Sequence, residues 1–495
     1  MVGRRDVEFS DPSPVAMTSC SLEARFNALS PRLNRSPVTL AAMLLHSGAL
    51  LMLGLLILQA WQQAGIFAWS VGLAYIGYDS LLLVFVTIKT LPLRNLPAPP
   101  EEVSSRPSLA VLLAAHNEAP VLEATVGALL AQSDPPDIIL IADDGSTDAT
   151  PHVLETAFAM PMPGLGGVAE TPRIASLRWL RLPRGGKARA LNAALERTDC
   201  EVVLTVDADT ILAPDAIAAM RGAFRREPAL IAATGLLRPI CDRSATGRLF
   251  QWFQTYEYVR NFISRFAWMR VDGLLLVSGA FAGFRRDAVI RVGGFDPECL
   301  VEDYELIHRL HRWSADHGLG WKVRVLGEAR AQTDAPANVT AFLRQRRRWF
   351  GGFLQTQYWN RDMVGNPHFG RLGTMMLPVK AFDTVQPLFG LAAFMLLAAF
   401  VVSGRLQVIG PVLLAMLAKV AFDFAFHCWS IILYRRWSGG MLPEGWGRVL
   451  ATSLIEPFSF QLLRHIGAAW GWIAFLTGRR SWDRARRGGI LARQG

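Results

Sequence analysis

The sequence predicts an α/β domain with a mostly parallel sheet, flanked by α-helical transmembrane segments. Three observations predict it. Apolar runs long enough for a bilayer stand on both sides of the chain's middle. Between them, short apolar runs alternate with helical stretches, the strand–helix–strand order of a parallel sheet. Acidic or polar residues recur just after those strands, where open α/β sheets bind ligands.

Composition agrees. At 495 residues the chain has room for more than one domain. Hydrophobic residues make up 51% and charged residues 19%, too apolar for an ordinary soluble protein and too charged for a pure membrane bundle. The net charge of +10 comes mainly from arginine, since the only lysines are Lys89, Lys187, Lys322, Lys380 and Lys419. A basic balance fits nucleic acid, a membrane surface or an anionic small molecule. No zinc-finger, homeodomain or RNA-recognition pattern is present, so no nucleic-acid partner is expected. Cys20, Cys200, Cys241, Cys299 and Cys428 are scattered, odd in number and without a CxxC. They suggest neither a disulfide framework nor a zinc site and fit a reducing, cytosolic face.

The elements follow in order. Residues 1–37 are a basic tail with Arg4, Arg5, Arg25, Arg32 and Arg35, lacking the apolar core and cleavage site of a signal peptide. Residues 38–91 hold two apolar runs, about 38–60 and 64–89, joined by the short WQQAG, and read as a transmembrane hairpin. The basic tail favours the cytosol and two crossings return the chain there. Residues 92–365 form the cytosolic domain, opening with a proline-rich linker over 92–106. Strands are expected at SLAVLLAAH, DIILIADD, ASLRWLRL and EVVLTVDAD, with helices at 119–132, 148–158, 187–197 and 246–268. Residues 366–480 hold interfacial and transmembrane helices, with spans at 384–403 and 406–434 followed by the basic YRRWSGG. The stretch 450–476 carries Glu456, Pro457, Gln461, Arg464 and His465, costly in lipid, and reads as re-entrant or interfacial rather than a simple fifth span. Residues 481–495 are a basic tail.

Five stretches carry chemistry. AAHNEAP and IADDGSTDAT place Asn117, Glu118, Asp143, Asp144 and Asp148 after strands. A carboxylate there can accept a hydrogen bond from a base or ribose, and Asp144 and Asp143 are assigned to ligand. Asp148 is assigned to the turn, with Ser146 or Thr147 as helix N-cap. PRGGKARALNAAL opens a helix with Gly185, Gly186 and Lys187, letting backbone and a point charge approach a phosphate; a simple loop is the alternative. TVDADTIL sets Asp207 and Asp209 two apart after a strand, so both face one way and suit a hard cation such as Mg²⁺ or Mn²⁺. LVEDYELIHRL opens a helix with Glu302 and Asp303, either partners of the helix dipole or a general base. Ser278, Gly279, Arg285 and Arg286, just upstream, are expected to wall an acceptor pocket. LRQRRRWFGGFL puts Gln345, Arg348 and Trp349 on one helix face, with Arg346 and Arg347 turned elsewhere, toward lipid headgroups.

The ordered set resembles the membrane-bound family-2 glycosyltransferases: cellulose, hyaluronan, chitin-oligosaccharide and poly-N-acetylglucosamine synthases. Their pattern of an early Asp, DxD, an ED pair and QxxRW is met by DDG at 143–145, DAD at 207–209, VED at 301–303 and QRRRW at 345–349, over about 92–480. The resemblance implies a GT-A (nucleotide-diphospho-sugar transferase) domain, a UDP-sugar donor, a Mg²⁺ or Mn²⁺ cofactor and inversion of an α-sugar to a β-linkage. It implies that Asp144 (or Asp143) with Glu118 holds the uridine and that Lys187 meets the diphosphate. Asp207 and Asp209 then hold sugar nucleotide and metal, Asp303 is the base beside Glu302, and Gln345, Arg348 and Trp349 close over pyrophosphate and acceptor. Two positions depart from the family: Val301 stands for its common Thr, and His116 for its aromatic before Asn-Glu. Residues 477–495 are too short for the cyclic-di-GMP-binding domain of bacterial cellulose synthases. Asp79, Lys419 and Asp423 within apolar runs suggest either a polar path for a glycan or a simple Lys419–Asp423 pair.

The implied protein is a polysaccharide synthase of a bacterial inner membrane, with a glycan acceptor, membrane lipids around it and room for an export partner protein. The rivals are a glycolipid synthase with a lipid acceptor, as in ceramide glucosyltransferases, and a non-catalytic nucleotide-binding assembly protein.

Overall fold

The computed structural model describes residues 21–34, 37–95, 106–440 and 446–478. Most of the expected basic tail and proline-rich linker, and all of the 481–495 tail, lie outside the described residues.

The described residues begin with a short helix that the tail assignment did not foresee, α1 (Leu22–Leu29). Two long apolar helices follow, α2 (Leu40–Gln59) and α3 (Ser70–Thr90). The α/β domain then runs β1 (Leu109–Ala115), α4 (Ala119–Leu130), β2 (Ile138–Asp144), α5 (Thr150–Ala157), β3 (Val168–Thr171), β4 (Ile174–Leu182), α6 (Lys187–Leu195) and β5 (Val202–Asp207). It continues through β6 (Thr210–Leu212), α7 (Ala216–Arg226), β7 (Leu230–Ile240), α8 (Ala245–Met269), β8 (Phe281–Arg285), α9 (Arg286–Arg291), α10 (Glu302–Asp316), β9 (Lys322–Asp334) and α11 (Val339–Trp359). The helices α12 (Leu377–Val402), α13 (Leu406–Trp437), α14 (Trp446–Ile455) and α15 (Phe460–Leu476) complete the described elements.

The strands form one nine-stranded sheet in the order β3-β4-β2-β1-β5-β8-β7-β9-β6. The segment β4-β2-β1-β5 is parallel throughout, as the alternation predicted. Beyond it the sheet is mixed: β8 runs antiparallel to β5 and β7, while β9 pairs parallel with β7 and antiparallel with β6. The predicted strands at β1, β2 and β5 are near-continuous apolar runs because they sit in the middle of the sheet with almost every side chain buried. Pairing β1 with both β2 and β5 brings Ala115 level with Asp143, and Ala114 level with Asp207. The predicted acids therefore end on one edge of the sheet.

Among the described residues, four helical stretches are long and apolar enough to cross a membrane: Leu40–Gln59, Gly65–Arg94, Leu372–Val402 and Leu406–Trp437. Leucines such as Leu55, Leu81, Leu414 and Leu417 face outward from them. The third starts earlier than the sequence suggests because its polar residues are paired. Lys380 binds Asp383 at 2.7 Å, and the Tyr78 hydroxyl donates to Asp383 at 2.6 Å. The 450–476 stretch is broken at Glu456–Phe458, where Pro457 interrupts the α-helix. Its second half lies along α11, close enough that a Cβ on Gly467 would stand 2.5 Å from Cβ of Arg346.

Candidate active site

Each strand end supplies one part of the site. After β1, Asn117 adopts a left-handed backbone with φ of 59°. Its side-chain oxygen accepts from the Thr147 amide at 2.7 Å, and its own amide donates to Ser146 Oγ at 3.0 Å. The Asn117–Glu118 turn is thus stitched to the loop after β2, and Glu118 is buried. In that loop Asp143 accepts from the Ser146 amide at 2.9 Å. Helix α5 starts at Thr150, so neither Ser146 nor Thr147 is its N-cap, contrary to expectation. Asp148 instead accepts from the Thr150 amide at 2.9 Å, in keeping with its assignment to the turn.

Asp144 is buried and fully engaged. It takes the Arg184 guanidinium and the amides of Gly185 and Gly186 at 2.6 and 2.9 Å. Gly186 has φ of +94°, which an L side chain rarely adopts, and this turn delivers Lys187 at the start of α6. Arg184 was not singled out from the sequence; its signal was a cation directly before a Gly-Gly turn.

Lys187 is the meeting point. Its ammonium lies 2.8 Å from Asp207 and 3.1 Å from Glu302. Burial alone would lower its pKa, but Asp207, then Glu302 and Asp303, hold it well above the ordinary amine range. Asp207 ends β5, and Thr125 of α4 fixes the following turn by donating to the Ala208 carbonyl at 2.6 Å. Asp209 feels burial and the charges of Asp207 and Asp334, which raise it to about 8. Asp334, at the end of β9, was missed because a carboxylate closing a long alternating strand carries no spacing signal.

Glu302 and Asp303 open α10 side by side with opposite fates. Burial pushes Glu302 up, yet Lys187, hydrogen bonding to its backbone and Arg348 outweigh it and leave Glu302 below its ordinary range. Asp303 is raised, by burial and then by the Glu302 charge. The Gly279 and Tyr304 amides hold its carboxylate at 2.6 and 2.8 Å. A carboxyl with a raised pKa, fixed by two amides, is suited to accepting a proton.

Helix α11 carries the last part. Arg348 donates to the Leu300 carbonyl at 3.4 Å, which places it beside Glu302. Gln345 Oε1 is buried with no hydrogen-bond partner. Trp349 is half-buried, with the Arg346 guanidinium 4.4 Å from its ring. Arg346 does not face headgroups as expected. It is 3% exposed, ion-paired with Glu257 at 2.8 Å and stacked also on Phe342, so it supports Trp349 from beneath. Arg347 lies on Trp470 of α15. Gly352 permits the approach of α11 to Val301, where a Cβ would stand 2.5 Å from the valine side chain.

The expected acceptor wall is corrected in part. Gly279 touches Asp303, but Arg285 pairs in register with Val202, at the opposite end of β5 from Asp207. There Arg285 bonds the Phe224 and Leu230 carbonyls and Arg286 bonds that of Leu195.

Asp207 and Asp209 suit a hard cation. Crowding of Asp209 by Asp207 and Asp334 is what a divalent ion would relieve. Among the described residues no cluster of three or more His, Cys, Asp or Glu is arranged as a ready-made metal site. Two carboxylates with the remaining positions left to phosphate and water is the usual arrangement for Mg²⁺.

Fold and site together define a glycosyltransferase domain of the GT-A type set against helices long and apolar enough to cross a membrane. Residues 202–479, more than half of the chain, match the model of Glycosyl transferase family group 2, and the chain belongs to that family. Residues 110–293 also match Glycosyl transferase family 2. The chain is 26% identical over 298 residues to a poly-beta-1,6-N-acetyl-D-glucosamine synthase of Staphylococcus epidermidis, covering 59% of this chain and 64% of that one. It is 27% identical over 257 residues to the synthase of the same name from Staphylococcus aureus, covering 51% and 56%. It thus spans less than two thirds of these relatives' length. A solved mannosyltransferase, PcManGT from Pyrobaculum calidifontis in complex with GDP-Man and Mn²⁺, shares the fold with a TM-score of 0.54 at 19% identity, over 79% of this chain and 99% of that one.

Proposed function

We propose that the protein is a membrane-embedded inverting glycosyltransferase that moves a sugar from a UDP-sugar to a growing β-linked polysaccharide and passes the product across the membrane. The observation that carries the reading is the meeting of Lys187 with Asp207 and Glu302, beside a raised Asp303. It joins a cationic diphosphate grip to a base within one cluster.

Asp303 accepts the proton of an acceptor hydroxyl. The freed oxygen attacks the anomeric carbon from the face opposite the diphosphate, and the bond from that carbon to the diphosphate oxygen breaks. Lys187 and Arg348 supply positive charge where negative charge develops on the departing UDP. A Mg²⁺ or Mn²⁺ ion held by Asp207 and Asp209 would add to that charge. Glu118, Asp143 and Asp144 serve the nucleoside, Asp144 with the loop it holds. Gln345 and Trp349 serve the acceptor, the indole offering a face on which a sugar ring can stack. The domain lies on the cytosolic side of a bacterial inner membrane, where UDP-sugars are made. Similarity to poly-beta-1,6-N-acetyl-D-glucosamine synthases supports a polymeric product.

The test is transfer from a panel of radiolabelled UDP-sugars by membranes carrying the full chain, with Mg²⁺ or Mn²⁺, followed by sizing of the product. A high-mass glycan is expected. A single sugar on extractable lipid would overturn the polymer reading in favour of a glycolipid synthase.

A further inference from the structure

The segment before the first membrane helix is folded onto the catalytic domain. In α1, Leu22 and Phe26 lie four apart on one face and both are buried. They pack on the turn Gly293–Gly294, whose φ angles are +87° and +75°. A Cβ on Gly293 would stand 2.3 Å from the Phe26 amide nitrogen, and one on Gly294 would stand 2.9 Å from Leu22. Only glycine permits both that backbone and that approach.

Arg32 closes the contact. Its Nε and Nη2 donate to the two oxygens of Asp296 at 2.9 and 3.1 Å, and Asp296 is fully buried. The Arg32 and Arg309 guanidinium groups lie 5.6 and 5.1 Å from the Phe26 ring. Arg309 in turn pairs with Glu305, two residues after Asp303, and bonds the Val292 and Gly294 carbonyls.

The stretch these residues grip, 292–301, leads directly into Glu302 and Asp303. Its other supports come from the remaining parts of the site. Asn192 of α6, the Lys187 helix, exchanges hydrogen bonds with Phe295 at 2.8 Å in both directions. Gln355 of α11 accepts from the Leu300 amide at 3.4 Å. The connection is thus held from three sides, one of them supplied by α1 and the Arg32 that follows it.

We propose that residues 21–34 clamp this connection and that Phe26 and Arg32 are positioning residues for Asp303, acting through Asp296 and the Gly293–Gly294 turn. The proposal rests on the transfer reading above. A small displacement of a base can cost on the order of a hundredfold in rate.

The test uses full-length protein in detergent carrying Phe26→Ala and Arg32→Gln together. Three quantities are read: sugar transfer, UDP binding, and hydrogen exchange of the 292–303 amides. The expected result is a fall in kcat of about tenfold or more, with UDP affinity unchanged and exchange in 292–303 faster. Unchanged exchange there would overturn the clamp, as would an unchanged kcat in a wild-type protein that transfers sugar. Loss of UDP binding with the transfer would also overturn it, since the segment would then support the whole domain. If the wild type transfers no sugar, the transfer reading fails on its own, and the exchange result still decides whether the clamp exists.

Discussion

Two clusters of partly buried charge stand in this molecule, and they differ in their balance. At the sheet edge, Asp207, Asp209, Glu302 and Asp303 gather around Lys187, with Asp334 acting on Asp209 and Arg348 beside Glu302. Carboxylates outnumber cations there, and two of them are held above their ordinary range. Against the long apolar helices the charges balance. Lys419 pairs with Asp79 and Asp423. Glu456 binds Arg464 at 2.5 Å, Arg260 at 3.8 Å and faces His427. Glu257 binds Arg346. Asp79, Asp423, Glu456 and Glu257 are thus matched by Lys419, Arg260, Arg464 and Arg346. A balanced cluster satisfies itself and holds helices together. An unbalanced one fits a role in which a ligand brings the missing charge.

Removing charge should therefore act oppositely in the two places. The largest effect is expected for Asp207→Asn with Asp209→Asn. Transfer should fall by about a thousandfold or more, and UDP binding should lose its dependence on divalent metal, while thermal stability holds or rises; calorimetric titration with and without Mn²⁺ and a melting curve would check this. Arg346→Met should strip Glu257 of its hydrogen-bonded partner, costing about 3–5 kcal/mol. It should also slow transfer by about tenfold by freeing Trp349, so unfolding and rate assays should both respond. Lys419→Met leaves Asp79 and Asp423 facing each other and should lower the melting temperature comparably, with UDP affinity unchanged. An altered affinity would break the contrast. The smallest effect concerns pH. Asp303 works deprotonated and is raised by burial and by Glu302, so its activity is lost as pH falls through that raised value. Glu302→Gln removes the repulsion and should move the acid limb of kcat/KM to lower pH.

Much of this was legible in the sequence. The parallel strands β1, β2 and β5 are apolar without alternation because they are central, and their terminal acids mark the ligand edge. The four helices long enough to span a membrane showed as long apolar runs, with paired ions extending the third beyond its apolar core. What escaped was non-local. Arg346 looked like a headgroup anchor because nothing near it in sequence announces Glu257, 89 residues away. Arg285 looked close to the site because it follows Gly279, yet β8 carries it to the far end of the sheet. Helix α1 does space Leu22, Phe26 and Leu29 at i, i+4 and i+7, but over only eight residues, and its burial depends on a glycine turn more than 260 residues later.

The most direct test of the central reading is Asp303→Asn in the full chain, with sugar transfer and UDP binding measured on the same preparation. The account predicts transfer lost by at least about a hundredfold, with UDP affinity and melting temperature kept. Transfer at the wild-type rate would contradict it and leave Asp303 a partner of the α10 helix dipole.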